Sequence, residues 1–579
     1  MNIYTNITRN ILFFLLFFLL VSSRFVNLGW GLPFPMHPDE RNMVVAIMQL
    51  TCSPLGSLDC FNPHFFAYGQ FSLYLGFILA PFVSLIQHIP TSFEHAALSL
   101  RILSAVSSVL TVLVLIKTIK RIISISDKWV YIALLFFTFV PAFIQFAHFG
   151  TTESILMLCY SLLLYFAVNF LTNMYSLTRF IKYSAIIFGL ALGTKVSALA
   201  FGSIPAFALL FYAIAQKRWN IWAQLLFEGA KFFILTGTIF LITSPYNILD
   251  FNEFMGSMRY ESAVGFGEYK AFYTRSFEYT IPMIFQFFSI FPYSLGWPIF
   301  ILFTLGFFLL PYNNSLFLFL RLQFLLFFIP NSFFYAKWTR FSSPIFPLMM
   351  LIAFITFIYS YKLLKQFIPL VVSKIFILII TIIVIIPGIA YTSIYLYQDV
   401  RYKASDWVYA HMENGAYILS ETANVIDVPV VDPNNPHSHS SKHFTYISFN
   451  FYDLHINPDL VSELEEHIHK ADYIFIPSRR VFANHTCYSS ISNSRFQISN
   501  FQPGYEVDRC EKLSQEYPQV NEYYDRLFSG ELGFEKVAEF TSYPRIELFG
   551  KTLLEFPDEM AEETWTVFDH PVIRIYKRI

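Results

Sequence analysis

Five consecutive residues, Met36-His37-Pro38-Asp39-Glu40, set an imidazole, a turn-fixing proline and two adjacent carboxylates directly after a long apolar stretch. Carboxylates beside lipid are costly unless they face a cavity or a partner, so the pattern suits a catalytic base in an outward-facing site. On composition alone it suits a helix start better, with Pro38 in the first turn and Asp39-Glu40 at the positive end of the helix dipole. Further ionisable residues stand at the ends of other apolar stretches: Arg24, Arg101, Glu153 (after His148-Phe149-Gly150-Thr151-Thr152), Lys195, Lys337 and Arg340. Any one of them is explained by a side chain reaching to the membrane interface. Together they place five cations and three carboxylates at one outer-leaflet depth, a pattern that fits an anionic lipid headgroup.

The elements that must position these groups follow from hydropathy. Of 579 residues, 55% are hydrophobic and 14% charged, with mean hydropathy +0.50, which excludes an ordinary soluble enzyme at about 25% charged. Residues 401–579 hold 43 of the 79 charged side chains, and the formal charge of −1 divides into +10 over 1–400 and −11 over 401–579. This is a membrane domain, 1–397, joined to a water-exposed domain, 398–579. Apolar runs at 11–30, 97–116, 129–147, 154–172, 183–194, 196–214, 231–246, 290–310, 315–334, 343–361 and 374–396 predict eleven crossings. The apolar segment 71–89 is read as an interfacial helix, because a crossing there would put Lys117, Lys120, Arg121 and Lys128 on the non-cytoplasmic side. The N-terminus is then cytoplasmic. Loops 31–96 and 247–280 and the C-terminal domain are extracytoplasmic.

In the C-terminal domain, helix-like and strand-like segments alternate from YKASDWVYAHM and AYILSE to FEKVAEF and PVIRIYKR, predicting a small α/β domain with a mixed or parallel sheet. Cys52 and Cys60 share the first outer loop and Cys487 and Cys510 the outer domain, which predicts two local bridges with Cys159 free.

The motifs MHPDE, RILSA at 101–105, HFGTTES at 148–154, GLALGTKVSAL at 189–199 and Lys337…Arg340…Pro344…Pro347 resemble those of C-type-fold integral membrane glycosyltransferases. Within these, the chain is similar to the protein O-mannosyltransferase-like family and its prokaryotic members, whose relatives include the lipid A aminoarabinose transferases. The resemblance implies a polytopic helical membrane protein of glycosyltransferase C-type fold in the prokaryotic plasma membrane. It also implies inverting transfer of mannose, or another hexose or pentose, from a polyprenyl monophosphate carrier. The acceptor is a protein, lipid or glycan, and no nucleic acid is involved. Asp39 is then the first choice of base and Glu40 the second. Arg101, Lys195, Lys337 and Arg340 bind the donor phosphate, and Glu153 with His148 marks an acceptor or second acidic site. The resemblance fixes no cofactor; a divalent metal stays open, without a tight ligand set in the sequence. Glu153 departs from relatives that often carry Asp, and the large luminal insertion of the eukaryotic enzymes is absent. A non-enzymatic transporter or flippase of carrier-linked sugars is the alternative, in which the same cations would bind the phosphate. It predicts inverted repeats and polar residues at the bilayer midplane, and the sequence has neither.

Overall fold

The computed structural model describes residues 2–34, 36–52, 57, 59–87, 91–216, 221–422, 426–430, 442–488 and 503–579. The chain is a polytopic helical membrane domain carrying a small α/β domain. Among the described residues, seven helices are long and apolar enough to cross a bilayer, and two bent pairs bring the total to nine. These coincide with nine of the eleven expected crossings. The other two fall on Asn2–Phe25, whose apolar part is short, and on Leu177–Thr194, which carries Arg179 and Lys182 near its start.

Two expected crossings are not single rods. The run 129–147 becomes Asp127–Thr138 and Pro141–His148, bent by 57° where Pro141 opens the second piece. The run 290–310 is cut at Gly296, whose φ of +84° suits only glycine, and the helices on either side meet at 118°. The segment 71–89 is helical over Gln70–Gln87, with Ile78, Phe82, Leu85 and Ile86 exposed. The loop 247–280 is mostly helical, in Tyr246–Leu249, Phe251–Phe266 and Phe272–Phe277; Gly267, at φ +80°, ends the longest of these.

The C-terminal domain opens with the helix Val400–His411 and contains β1 (Tyr417–Glu421), β2 (Thr445–Phe449), β3 (Tyr473–Ile476), β4 (Phe534–Phe540), β5 (Arg545–Leu548), β6 (Lys551–Glu555) and β7 (Ile573–Arg578). The main sheet is mixed, in the order β2-β1-β3-β7-β4. Strands β1, β2 and β3 run parallel, while β7 is antiparallel to β3 and β4. Alternating residues face opposite layers: Ile418, Phe475 and Ile575 pack with Val400 and Val408, whereas Leu419, Ile474 and Tyr576 pack with Leu464, Val520 and Leu527. The β5–β6 hairpin is an element the sequence reading did not identify. Both bridges form, Cys52–Cys60 and Cys487–Cys510, with Cα separations of 4.3 and 5.4 Å, and Cys159 is a buried thiol.

A segment before β7 locks the two domains together. Trp565, Val567 and Phe568 join the membrane domain's apolar core, and Gln145 donates to the Trp565 carbonyl at 2.8 Å. Tyr391 and Tyr395 donate to Asp569 at 3.0 and 2.7 Å. His570 lies between Asp569 (2.5 Å) and Asp558 (2.9 Å), wholly buried. Both carboxylates favour the imidazolium, so its pKa is raised to about 10 against the opposing effect of burial.

Candidate active site

The site begins at a helix N-terminus. In Pro38–Gln49, His37 is the N-cap residue: its Nδ1 accepts from the Asp39 amide at 3.2 Å, and Pro38 occupies the first turn. The helix-start reading of MHPDE is therefore correct, and it is this geometry that sends Asp39 and Glu40 in different directions.

Glu40 turns inward. Its carboxylate accepts a forked pair from Arg101, at 2.6 Å from Nε and 2.9 Å from Nη2, and a 3.2 Å bond from the Gly150 amide. Arg101 also donates from Nη1 to the carbonyls of Leu28 and Trp30, each at 2.7 Å. Both side chains are essentially inaccessible. Gly150 explains the HFGTTES motif: a Cβ there would stand 2.7 Å from Leu100 Cβ and 2.8 Å from Glu40 Oε1.

Asp39 turns outward and ion-pairs with Arg340. Burial would raise its carboxyl pKa, but Arg340, His37 and a hydrogen bond from Tyr68 outweigh that and hold it at about 2. Lys195 completes the group. Its Nζ lies 3.9 Å from Glu153 Oε1 and 4.7 Å from the centre of the Tyr68 ring. This juxtaposition has a local cause. Gly69 donates to the Thr194 carbonyl at 2.8 Å, and a Cβ on Gly69 would meet Gly193 O at 2.1 Å, so only glycine lets these backbones touch and set Tyr68 against Lys195. Arg340 stacks over Trp338, its guanidinium carbon 4.4 Å from the ring centre. From the outer helix Phe251–Phe266, Glu261 lies within the electrostatic reach of Lys195 and Arg340, although burial raises its pKa.

The structure thus gathers Asp39, Arg340, Lys195 and Glu153, and adds His37, Tyr68 and Glu261, which the sequence reading did not select. His37 could have been found as an N-cap, and Tyr68 from the Tyr-Gly pair before an apolar helix. Glu261 carries no local signal. Four expected site residues lie apart. Arg101 and Glu40 are committed to each other. His148 is stacked on Tyr395 at 3.7 Å, with Nδ1 2.8 Å from the Ile144 carbonyl and Nε2 2.9 Å from the Val26 carbonyl, so its ring packs structurally. Lys337 donates to the Tyr335 carbonyl at 3.1 Å, is buried, and among the described residues forms no ion pair. Burial alone lowers its pKa to about 8. Arg24 serves the fold, bonding Ser108, Ser23 and the Thr138 carbonyl.

For a metal, one group among the described residues brings three ligand atoms within 4.8 Å of one another: His64, Asp250 and Glu253, from two outer segments. None of them belongs to the Asp39 cluster.

Residues 79–247, which include Arg101, Glu153 and Lys195, match the sequence model of the dolichyl-phosphate-mannose-protein mannosyltransferase family. This segment relates the chain to the protein O-mannosyltransferases. Among solved structures, the chain is similar to the archaeal oligosaccharyltransferase AglB from Archaeoglobus fulgidus in complex with an inhibitory peptide and a dolichol-phosphate. That likeness has 13% identity and a TM-score of 0.47, over 83% of this chain and 71% of that one. It is also similar to ArnT from Cupriavidus metallidurans bound to undecaprenyl phosphate, at 14% identity and a TM-score of 0.44, over 90% and 77% of the two chains. The S. cerevisiae protein O-mannosyltransferase complex bound to the sugar donor gives 14% identity and a TM-score of 0.32, over 43% and 34%. No curated protein matches the sequence.

Proposed function

We propose that the chain is an inverting glycosyltransferase that moves a sugar from a polyprenyl monophosphate carrier to an acceptor hydroxyl on the extracytoplasmic face of a prokaryotic plasma membrane. The observation that carries the reading is the Asp39–Arg340 pair with Lys195 beside it. A proton acceptor and two cations share one cluster, each side chain 16–19% exposed and so within reach of a ligand. The family match over 79–247 supports the same reading.

Asp39 takes the proton of the acceptor hydroxyl as that oxygen attacks the anomeric carbon from the face opposite the phosphate. The bond from the anomeric carbon to the phosphate oxygen breaks, its electron pair leaves with the polyprenyl phosphate, and the configuration inverts. The leaving phosphate needs charge rather than a proton, and Arg340 and Lys195 supply it in advance. A base held near pKa 2 is weak. When the donor phosphate draws Arg340 to itself, Asp39 loses its chief counter-charge and becomes a stronger base. Arg101 acts at one remove, as a positioning residue that fixes Glu40 and through it the turn bearing Asp39.

The test is to incubate purified protein with several polyprenyl phosphate sugars and extracted envelope components and to identify the product by mass spectrometry. A labelled acceptor with inverted anomeric configuration is expected. Movement of intact carrier-linked sugar across vesicles, with no new glycoside, would replace this reading with a transporter.

A further inference from the structure

In the outer domain, β1 has β2 on one side and β3 on the other, so the chain changes direction across the sheet between β1 and β3. In open sheets with parallel strands, ligands bind in the crevice outside the carboxyl ends at such a switch point. Glu421 is the last residue of β1, Tyr452 follows β2, and Arg480 follows β3. Glu563, from the segment that docks on the membrane domain, meets them there, its Oε1 3.5 Å from Arg480 Nη1.

These groups are buried, Arg480 at 3% and Glu563 at 4% exposure, yet their polar atoms are underused. Among the described residues, Nε and Nη1 of Arg480, both carboxylate oxygens of Glu563, Oε2 of Glu421 and the Tyr452 hydroxyl make no hydrogen bond of proper geometry. The contrast with Arg479 is instructive: it donates to the Ala561 and Glu562 carbonyls and to Thr566, and so does the structural work for the pair. Arg480 and Glu563 face each other only at ion-pair distance, and buried polar atoms without a full hydrogen bond are destabilising, which makes such a concentration a feature to be explained by a ligand. Glu562, next to Glu563, accepts from the Thr339 amide and hydroxyl at 3.0 and 2.9 Å, and the Phe568 ring lies 5.5 Å from the Arg480 guanidinium and 4.3 Å from the His37 ring, so the cluster adjoins the active site.

We propose that Arg480 and Glu563 form the subsite that binds the hydroxyl groups of the carrier-linked sugar. The inference rests on the glycosyl-transfer reading above. A sugar is joined directly to the phosphate that Arg340 would grip, so its ring falls where a neighbouring cluster can reach it. Vicinal hydroxyls both donate and accept; Arg480 donates, Glu563 accepts, and Tyr452 does either. The outer domain thereby takes part in choosing the donor.

The experiment compares equilibrium binding of bare undecaprenyl phosphate with undecaprenyl phosphate carrying glucose, mannose or arabinose, on the full-length protein in lipid nanodiscs. Arg480→Gln and the near-isosteric Glu563→Gln are measured beside the wild type, with thermal unfolding to establish folding. The wild type is expected to prefer one glycosylated lipid. Each variant should lose about tenfold or more in affinity for that lipid, while bare lipid binds within about twofold of the wild type. An unchanged preference in both variants, or an equal loss for bare lipid, would overturn the subsite. So would normal donor binding with transfer lost, which would place the acceptor there. A wild type that binds lipids without regard to the sugar defeats this inference alone; one that binds none of the lipids defeats the glycosyl-transfer reading as well.

Discussion

Asp39 and Arg340 are 301 positions apart in the chain and ion-paired in the fold, the carboxylate in the first turn of Pro38–Gln49 and the guanidinium in the short helix Thr339–Ser342 that leads into a late crossing. Their pairing couples the two ends of the proposed reaction, because the group that would receive the phosphate restrains the group that would take the proton.

Asp39→Asn keeps the volume and removes the proton acceptor. Turnover should fall by about 100- to 10,000-fold with donor binding retained. Near-normal turnover in the folded variant would reject Asp39 as base. The wild-type carboxyl, with its depressed pKa of about 2, contributes stability above its ordinary value near 4 that is lost as pH falls through about 2.

Arg340 and Arg101 should behave differently. Arg340→Lys and Lys195→Ala should weaken donor binding with little change in unfolding temperature, since both side chains are reachable from solvent. Arg101→Leu leaves Glu40 buried without its counter-charge, at a cost of about 3–5 kcal/mol. The signature of that loss is poor folding. Thermal unfolding and lipid binding on the same preparations separate the two cases.

Gly150→Ala should impair turnover although residue 150 bears no reactive group. The added methyl would crowd Leu100 and Glu40 and press on the turn that orients Asp39. Overpacking of this kind costs about 1–3 kcal/mol. A variant with wild-type unfolding temperature and rate would show that the turn yields freely.

His570 links domain docking to pH. Its folded pKa of about 10 lies above the ordinary 6.5, so its contribution is complete below about pH 6.5 and is lost as pH rises through 10. Thermal unfolding followed from pH 6 to 10.5 should show this decline, and His570→Gln should flatten it. An unchanged slope in the variant would assign the effect to other groups.

Non-reducing peptide mapping should find Cys52 joined to Cys60 and Cys487 to Cys510, with one thiol, at Cys159, that reacts only after unfolding. Removing the second bridge by Cys487→Ser should cost about 2–4 kcal/mol. Free thiols at all four outer positions in protein from its native membrane would contradict the pairing.

Much of the fold was legible because its determinants are local. Long apolar runs make the helices, and the short apolar runs in AYILSE and ADYIFIPS, set between helix-like segments, make β1 and β3. Half of the site was legible for the same reason: Pro38, Asp39 and Glu40 announce a charged helix start beside a membrane. What residue types cannot disclose is which way two adjacent side chains turn. Asp39 and Glu40 are chemically alike, yet one reaches Arg340 and the other Arg101, a choice made by helix phase and by the room that Gly150 leaves. Lys337 and Arg340 are three positions apart, and the irregular backbone before Thr339 is enough to send Lys337 elsewhere. Tyr68 and Glu261 depend on contacts between distant segments, and such contacts leave no mark on either segment alone.

Glu562 accepts hydrogen bonds from the Thr339 amide and hydroxyl, at 3.0 and 2.9 Å, across a separation of 223 residues. The short helix that presents Arg340 begins at Thr339, so a residue of the outer domain supplies its cap. During synthesis, every crossing is made before residue 562 exists. The hydrogen bonds from Thr339 to Glu562 can form only once the C-terminal domain has been made. A chain interrupted before position 562 would possess all its membrane helices and lack the acceptor for the Thr339 amide that opens the turn bearing Arg340.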